Sequence, residues 1–254
     1  MKSIPITKYH GLGNDFIITR YSYVENEDIV SFIRSVCDRH TGIGADGAIF
    51  VKTNPLEMVY YNQDGSRAPM CGNGIRCFAK YCFDENIDRS EKLVVQTLAG
   101  KKVVYRQSED PFLVRVDMGY AEEYKDKWPI QIGPHTCYSG FVSTVHTVLF
   151  EPWDQTVGHD ICHDPNYPEQ TNVNFVQIQD PTHLSIRTYE RGCGPTLACG
   201  TGVCASVYTA YTLGKCANSV DVQLIKGQLH IDIDPDGRIF MTGPAQKILE
   251  GETA

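Results

Sequence analysis

Cys71-Gly72-Asn73-Gly74 and Cys199-Gly200-Thr201-Gly202 are near-identical stretches of one chain, each a cysteine opening a glycine-rich element that runs on into helical spacing. They lie 128 residues apart, about half of the 254-residue length, so each half reads as one copy of an ancestral unit carrying one cysteine. An inherited duplication keeps other residues in step. Tyr61 and Tyr189, Gly72 and Gly200, Gly74 and Gly202, and Ile75 and Val203 all pair at 128, and Gly100 pairs with Gly227 at 127. The shared order is a polar turn, Cys-Gly-x-Gly, a helix, and a Gly-started strand. A further strand follows, ending near Met118-Gly119 or Met241-Thr242-Gly243.

Outward from the two elements, the chain reads as α+β and rich in strands. Ile6 to Tyr9 and Asp15 to Thr19 are expected strands around the turn-forming His10-Gly11-Leu12-Gly13-Asn14. Ile29 to Arg39 has a helical apolar period, and Leu56 to Tyr61 reads as a strand before the Gln63-Asp64-Gly65-Ser66 turn. The helix spacing from Ile75 to Phe83 has its equivalent in Val203 to Leu213, and the strand Ser185 to Tyr189 precedes the second helix. The exposed crossing expected from Asp117 to about Asp126 sets two halves, 1–120 carrying Cys71 and 121–254 carrying Cys199. The site is expected in the cleft between them.

Composition excludes several classes. The chain is 42% hydrophobic and 21% charged, with no apolar run long enough to span a bilayer. A net charge of -8 and no basic stripe argue against a nucleic-acid partner. The N-terminal Met1 to Lys8 stretch has no apolar export region, which makes the cytoplasm the expected location. The ten cysteines are irregularly spaced, so most are expected reduced and buried, Cys77, Cys82 and Cys204 on core-facing helix surfaces. No CxxC pair supports zinc, and His159-Asp160-Ile161-Cys162-His163 stands alone; no metal is expected. Neither Gly42-Ile43-Gly44 nor Gly72-Asn73-Gly74 completes a nucleotide-binding fingerprint, and no cofactor is expected.

A Cys-Gly-x-Gly turn at a helix start offers backbone N–H groups that the helix does not use, and the helix dipole adds partial positive charge. Such donors cradle a carboxylate, while glycine permits close approach and positive φ. The same positive end favours thiolate over thiol. Two such starts facing one small carboxylic acid would let one thiolate remove an α-proton while the opposite thiol returns one. The carbanion charge spreads onto a carboxylate already met by oriented donors. That chemistry is racemisation without a cofactor, on a small amino-acid substrate.

Several further stretches are distinctive, beginning with Tyr9-His10-Gly11-Leu12-Gly13-Asn14-Asp15-Phe16 and Asp38-Arg39 with Gly42-Ile43-Gly44-Ala45-Asp46-Gly47. Asn62-Gln63-Asp64-Gly65-Ser66 and Met70-Cys71-Gly72-Asn73-Gly74-Ile75-Arg76-Cys77 follow. Tyr189-Glu190-Arg191-Gly192 through Ala198-Cys199-Gly200-Thr201-Gly202, then Met241-Thr242-Gly243-Pro244-Ala245, complete the set. With these stretches the chain resembles the diaminopimelate epimerase family over nearly its whole length. The resemblance implies two pseudo-symmetric domains, each a mostly antiparallel sheet wrapped around a central helix. It makes Cys71 and Cys199 the acid/base pair and gives Gly72, Asn73, Gly200 and Thr201 to the reacting carboxylate. Asn14, Asn62, Asn172, Glu190 and Arg191 line the substrate site by the same resemblance, and His146 stands beside the catalytic pair to orient or help ionise a thiol. A guanidinium suits the distal carboxylate because it binds with two parallel N–H bonds. Taken singly, the asparagines are also turn residues and Glu190-Arg191 an ordinary surface pair.

The chain departs from the family where Ser143-Thr144-Val145-His146 replaces the usual Gly-Asn-Pro-His, so Thr144 shortens a pocket side chain and loses an amide. Pro195 also stands where Glu is common. The favoured function is inversion of one α-centre of LL-2,6-diaminopimelate to the meso form, for lysine and cell-wall synthesis. A racemase of another amino acid such as histidine is the alternative that Thr144 keeps open, and a thiol redox or metal-binding protein is the non-enzymatic one. The sequence leaves open whether a homodimer forms.

Overall fold

The computed structural model describes residues 3–253; Met1, Lys2 and Ala254, which end the expected halves, lie outside them. The chain opens with β1 (Pro5–Gly11) and β2 (Asn14–Arg20), an antiparallel hairpin closed by the Gly11–Asn14 pair. Leu12 and Gly13 form its two-residue turn with φ of 59° and 93°, the positive values that match the right-handed twist of paired strands. After α1 (Tyr21–Val24), Asp28 caps α2 (Ile29–Cys37) by accepting from the Ser31 N–H at 3.3 Å. The helical period was expected to run to Arg39, but Asp38 is extended and its carboxylate accepts from the His40 and Thr41 N–H groups.

Next come β3 (Gly47–Thr53), β4 (Leu56–Asn62), α3 (Gly72–Asp84), β5 (Lys92–Thr97), β6 (Gly100–Glu109) and β7 (Phe112–Gly119). β2 runs parallel to β3, β3 antiparallel to β4, β4 parallel to β5, and β5, β6 and β7 are successively antiparallel. The next stretch holds β8 (Glu122–Glu123), β9 (Ile130–Ile132), β10 (His135–Phe141), β11 (Val145–Leu149), α4 (Gln155–Cys162) and β12 (Asn172–Asp180). β13 (His183–Glu190), β14 (Gly194–Thr196), α5 (Gly200–Thr212), β15 (Ser219–Leu224), β16 (Gly227–Ile233), β17 (Ile239–Pro244) and β18 (Gln246–Glu252) complete the order.

The pairing sequence repeats. β11 is parallel to β12, β12 antiparallel to β13, β13 parallel to β15, and β15, β16 and β17 are successively antiparallel. Both long helices, α3 and α5, are 13 residues long and both begin one residue after a cysteine. Each buries most of its length because strands surround it: α3 packs on β1 to β4 and β18, and α5 on β10 to β13 and β16. A helix covered on every side must carry small or apolar residues all round. Ile75, Cys77 and Phe78 in α3, and Val203, Cys204 and Val207 in α5, are fully buried, the larger side chains contributing roughly 1.5–3 kcal/mol apiece.

The chain forms two compact units, one running to Val116 and resumed at Gly243, the other Asp117–Thr242. The expected second half, 121–254, therefore gives up its last residues to the first unit. β18 pairs antiparallel with β1, Pro5 opposite Glu252, and the buried Arg76 donates to the Pro244 carbonyl at 3.0 Å. The hydrophobic pattern of a terminal strand does not name its partner. No described helix is long and apolar enough to cross a membrane.

Candidate active site

Cys71 is the N-cap of α3, with extended backbone at φ -136° and ψ 124°. Its Sγ accepts from the Gly74 N–H at 3.3 Å, so sulfur does the work usually given to a serine or aspartate oxygen. The Ile75 N–H closes the first helical bond on the Cys71 carbonyl at 2.9 Å. Gly72 and Asn73 supply the other early N–H groups of the turn, which the helix itself leaves to outside acceptors. Behind this turn the Arg76 guanidinium, 0% exposed, donates to the Gly72 carbonyl at 3.1 Å. Gly11 makes room for it, since a Cβ there would meet Nη2 at 2.8 Å.

Cys199 is the N-cap residue of α5, also extended at φ -124° and ψ 101°, but it makes no side-chain cap bond of the Cys71 kind; the Thr201 hydroxyl lies 3.6 Å from its Sγ. Its thiol was expected to be drawn toward thiolate by the helix end. The structure reverses that expectation: burial and then the Glu190 carboxylate raise its pKa well above the usual thiol value, against the opposing pull of Thr201 and the Gly202 N–H. None of Gly72, Gly74, Gly200 and Gly202 has positive φ, so backbone freedom is not their reason. Gly202 is required by close approach, because a Cβ would stand 2.3 Å from Asn174 Oδ1.

Asn174 organises the interior behind Cys199. Its Nδ2 faces the Asn172 and Thr147 carbonyls at 3.3 and 3.4 Å, while Oδ1 accepts from the Thr188 hydroxyl at 3.0 Å. That fixes the amide, and the same Nδ2 lies 3.2 Å from His146 Nδ1, which must therefore accept. Burial, helped by the Arg191 charge, lowers the His146 pKa to about 3, so the ring is neutral and its proton sits on Nε2. Nε2 is buried without a hydrogen-bond partner among the described residues. This makes His146 a donor rather than the base that would help ionise a thiol.

The other expected residues are engaged within their own units. Asn14 and Asn73 join Cys71: Asn73 Nδ2 donates to Asn14 Oδ1 at 3.1 Å, and Cys71 Sγ lies 3.7 Å from the same oxygen. Asn62 closes its turn, donating to Ser66 Oγ at 3.0 Å and accepting from Tyr60 at 2.8 Å. Asn172, buried, donates to the Val145 carbonyl and accepts from the Arg191 N–H, both at 3.1 Å. The Glu190 carboxylate accepts from Thr196 at 2.6 Å, and the Arg191 guanidinium donates to the Glu169 carbonyl at 3.1 Å. Thr144 is half-buried, with Oγ1 enclosed and without a partner among the described residues.

A family model described as diaminopimelate epimerase matches residues 6–123 and 137–248. A diaminopimelate epimerase of Halothermothrix orenii is 37% identical over 283 aligned residues, 98% of this chain and 97% of its own. Another, of Alkaliphilus metalliredigens, is 40% identical and covers 98% of this chain and 96% of its own. This chain belongs to the diaminopimelate epimerase family. Family membership makes it an isomerase of the epimerase class. In fold it is also like the phenazine biosynthesis protein of the PhzF family from Bacillus anthracis, with a TM-score of 0.76 at 14% identity over the whole of both chains.

Asp15, Arg39, Asp46 and Arg76 lie in the stretches shared with the diaminopimelate epimerase family, but nothing in their sequence pattern gives them a task. Asp15 receives Arg39 at 2.7 and 3.2 Å and Lys8 at 2.9 Å. Burial pushes its carboxyl up, yet the Arg39 and Lys8 hydrogen bonds outweigh it and hold the pKa below the usual range. A depressed carboxylate adds stability that is fully present above its unfolded pKa near ~3.9 and lost as pH falls through the native value. Asp15→Asn is therefore expected to cost about 3 kcal/mol at pH 7, read by urea denaturation, with the difference from the parent shrinking below about pH 4. An unchanged midpoint at pH 7 would refute this. Elsewhere, His159 and His163 stack at 4.3 Å while Cys162 is buried, and no described group of three or more His, Cys, Asp or Glu is set to hold a metal.

Proposed function

We propose that the chain inverts one α-centre of LL-2,6-diaminopimelate to give the meso form, with Cys71 and Cys199 acting on opposite faces of one α-carbon. What carries the reading is the repetition: in two units of equal pairing order, the residue before each 13-residue buried helix is a cysteine. One sulfur removes the α-proton and the other delivers a proton to the opposite face. The N–H groups of Gly72, Asn73, Gly200 and Thr201 meet the carboxylate as carbanion charge builds on it. Burial and then the Glu190 carboxylate favour the thiol form of Cys199 in the resting protein. Asn14, Asn62, Asn172 and Arg191 hold the amino groups and the distal carboxylate. The enzyme works in the cytoplasm, alone or as a homodimer, without a cofactor, and supplies lysine synthesis.

The test is incubation of the pure protein with LL-diaminopimelate in heavy water, followed by NMR. Meso product with deuterium at the inverted α-carbon is expected; neither product nor exchange would overturn the assignment. A second reading, racemisation of another free amino acid such as histidine, is favoured by Thr144, whose short side chain leaves a buried hydroxyl unmatched. The same exchange measured across a panel of amino acids separates the two.

A further inference from the structure

We propose that Asp46, anchored by Arg39, is a positioning residue that fixes the Asn14 amide with its carbonyl oxygen toward Cys71. Asp46 precedes β3 and Asn14 opens the neighbouring β2. Asp46 Oδ2 accepts from Asn14 Nδ2 at 2.6 Å and from the Asp15 N–H at 3.1 Å, while Oδ1 accepts from Arg39 Nη2 at 2.7 Å. The Asp46 N–H in turn donates to Asp15 Oδ1 at 3.0 Å. A carboxylate only accepts, so the atom of Asn14 that faces it must be the amide nitrogen. The usual ambiguity of an asparagine amide is thereby removed, and Oδ1 is left toward Asn73 Nδ2 and Cys71 Sγ.

The consequence is chemical. An acceptor beside Cys71 receives the S–H of a thiol, whereas a flipped amide would offer two N–H donors and favour the thiolate. The Arg39–Asp46 pair thus biases the protonation of Cys71 without touching it. The charged and titratable groups packed here include Lys8 and His10 on β1, Asp15 on β2, Cys37 ending α2 and Arg39 after it, Asp46 before β3, and Arg76 and Cys77 on α3. Asp15, Arg39 and Lys8 neutralise one another in part, and Asp46 is the member that reaches Asn14.

The value of this arrangement to catalysis rests on the reading of Cys71 as an acid/base, but the test uses no substrate, so the two stand or fall separately. The rate of iodoacetamide alkylation at Cys71 is followed against pH by peptide mass spectrometry in the parent, Asp46→Ala, Asn14→Ala and the double variant. Removing Asp46 lets the amide turn and also removes a negative charge, and both lower the ionisation midpoint. A fall of about half a pH unit or more is expected in the parent background. In the Asn14→Ala background only the charge remains, and less than half of that shift should persist. An equal shift in both backgrounds, or none in the parent, overturns the proposal. If Asp46→Ala does not fold, Asp46→Asn is read in the same cycle, because its amide must turn a donor toward either Arg39 or Asn14.

Discussion

Replacing either Cys71 or Cys199 by alanine is expected to lower the rate of α-carbon inversion by at least about 1,000-fold while the fold survives. Inversion needs a base on one face and an acid on the other, so neither sulfur can cover for its partner. The structural cost is small. At Cys71 the change removes one cap, the Gly74 N–H to sulfur bond, worth about 1 kcal/mol. At Cys199, only 6% exposed, it trims one atom from a small side chain. Circular dichroism and thermal melts of the variants should therefore resemble the parent. Cys71→Ser restores a cap but not activity, because a hydroxyl ionises far above a thiol, whose ordinary pKa is ~8.5. A folded alanine variant that still inverts within tenfold of the parent would end the two-thiol reading.

Gly202→Ala is expected to destabilise the protein by about 3 kcal/mol, lowering the melting temperature by roughly 6–12 °C. The added methyl would lie 2.3 Å from Asn174 Oδ1, in a buried network that also holds Thr188 and His146. Either the helix start shifts away, or Asn174 yields and leaves buried polar groups unmatched. Gly74→Ala at the equivalent place is the control. Its methyl would meet Cys71 Cβ, Ile49 Cδ1 and Met58 Cε, all at 3.2 Å, and the methionine terminus can move aside. About 1 kcal/mol is expected there. Differential scanning calorimetry decides the matter, and a Gly202→Ala melt equal to that of Gly74→Ala would show that the Asn174 contact is soft.

Much of the architecture was legible because its signals are local. The strand expected at Leu56 to Tyr61 is Leu56–Asn62, and the helices expected at Ile75 to Phe83 and Val203 to Leu213 are present but start earlier, at Gly72 and Gly200. Glycine and asparagine are poor helix formers, which is why the starts read as turn; the surrounding strands, and at α3 the Cys71 cap, make them helix. The core placement of Cys77, Cys82 and Cys204 followed from helical spacing and holds. The ionisation of Cys199 did not follow, because a helix end is visible in sequence while the depth of burial and the nearness of Glu190 are not.

The sequence by itself determined the duplication, the α+β class, the position of a cysteine before each long helix and the family to which the chain belongs. These rest on periodicity, turn residues and repeated order, all carried by neighbours along the chain. Tertiary structure alone decided that β18 returns to β1, that Asp46 sets the Asn14 amide, and that Asn174 turns His146 into a donor. Each of those is a hydrogen bond between residues about thirty or more positions apart, and a hydrogen bond depends on distance and direction in space, which no pattern of neighbouring residues encodes.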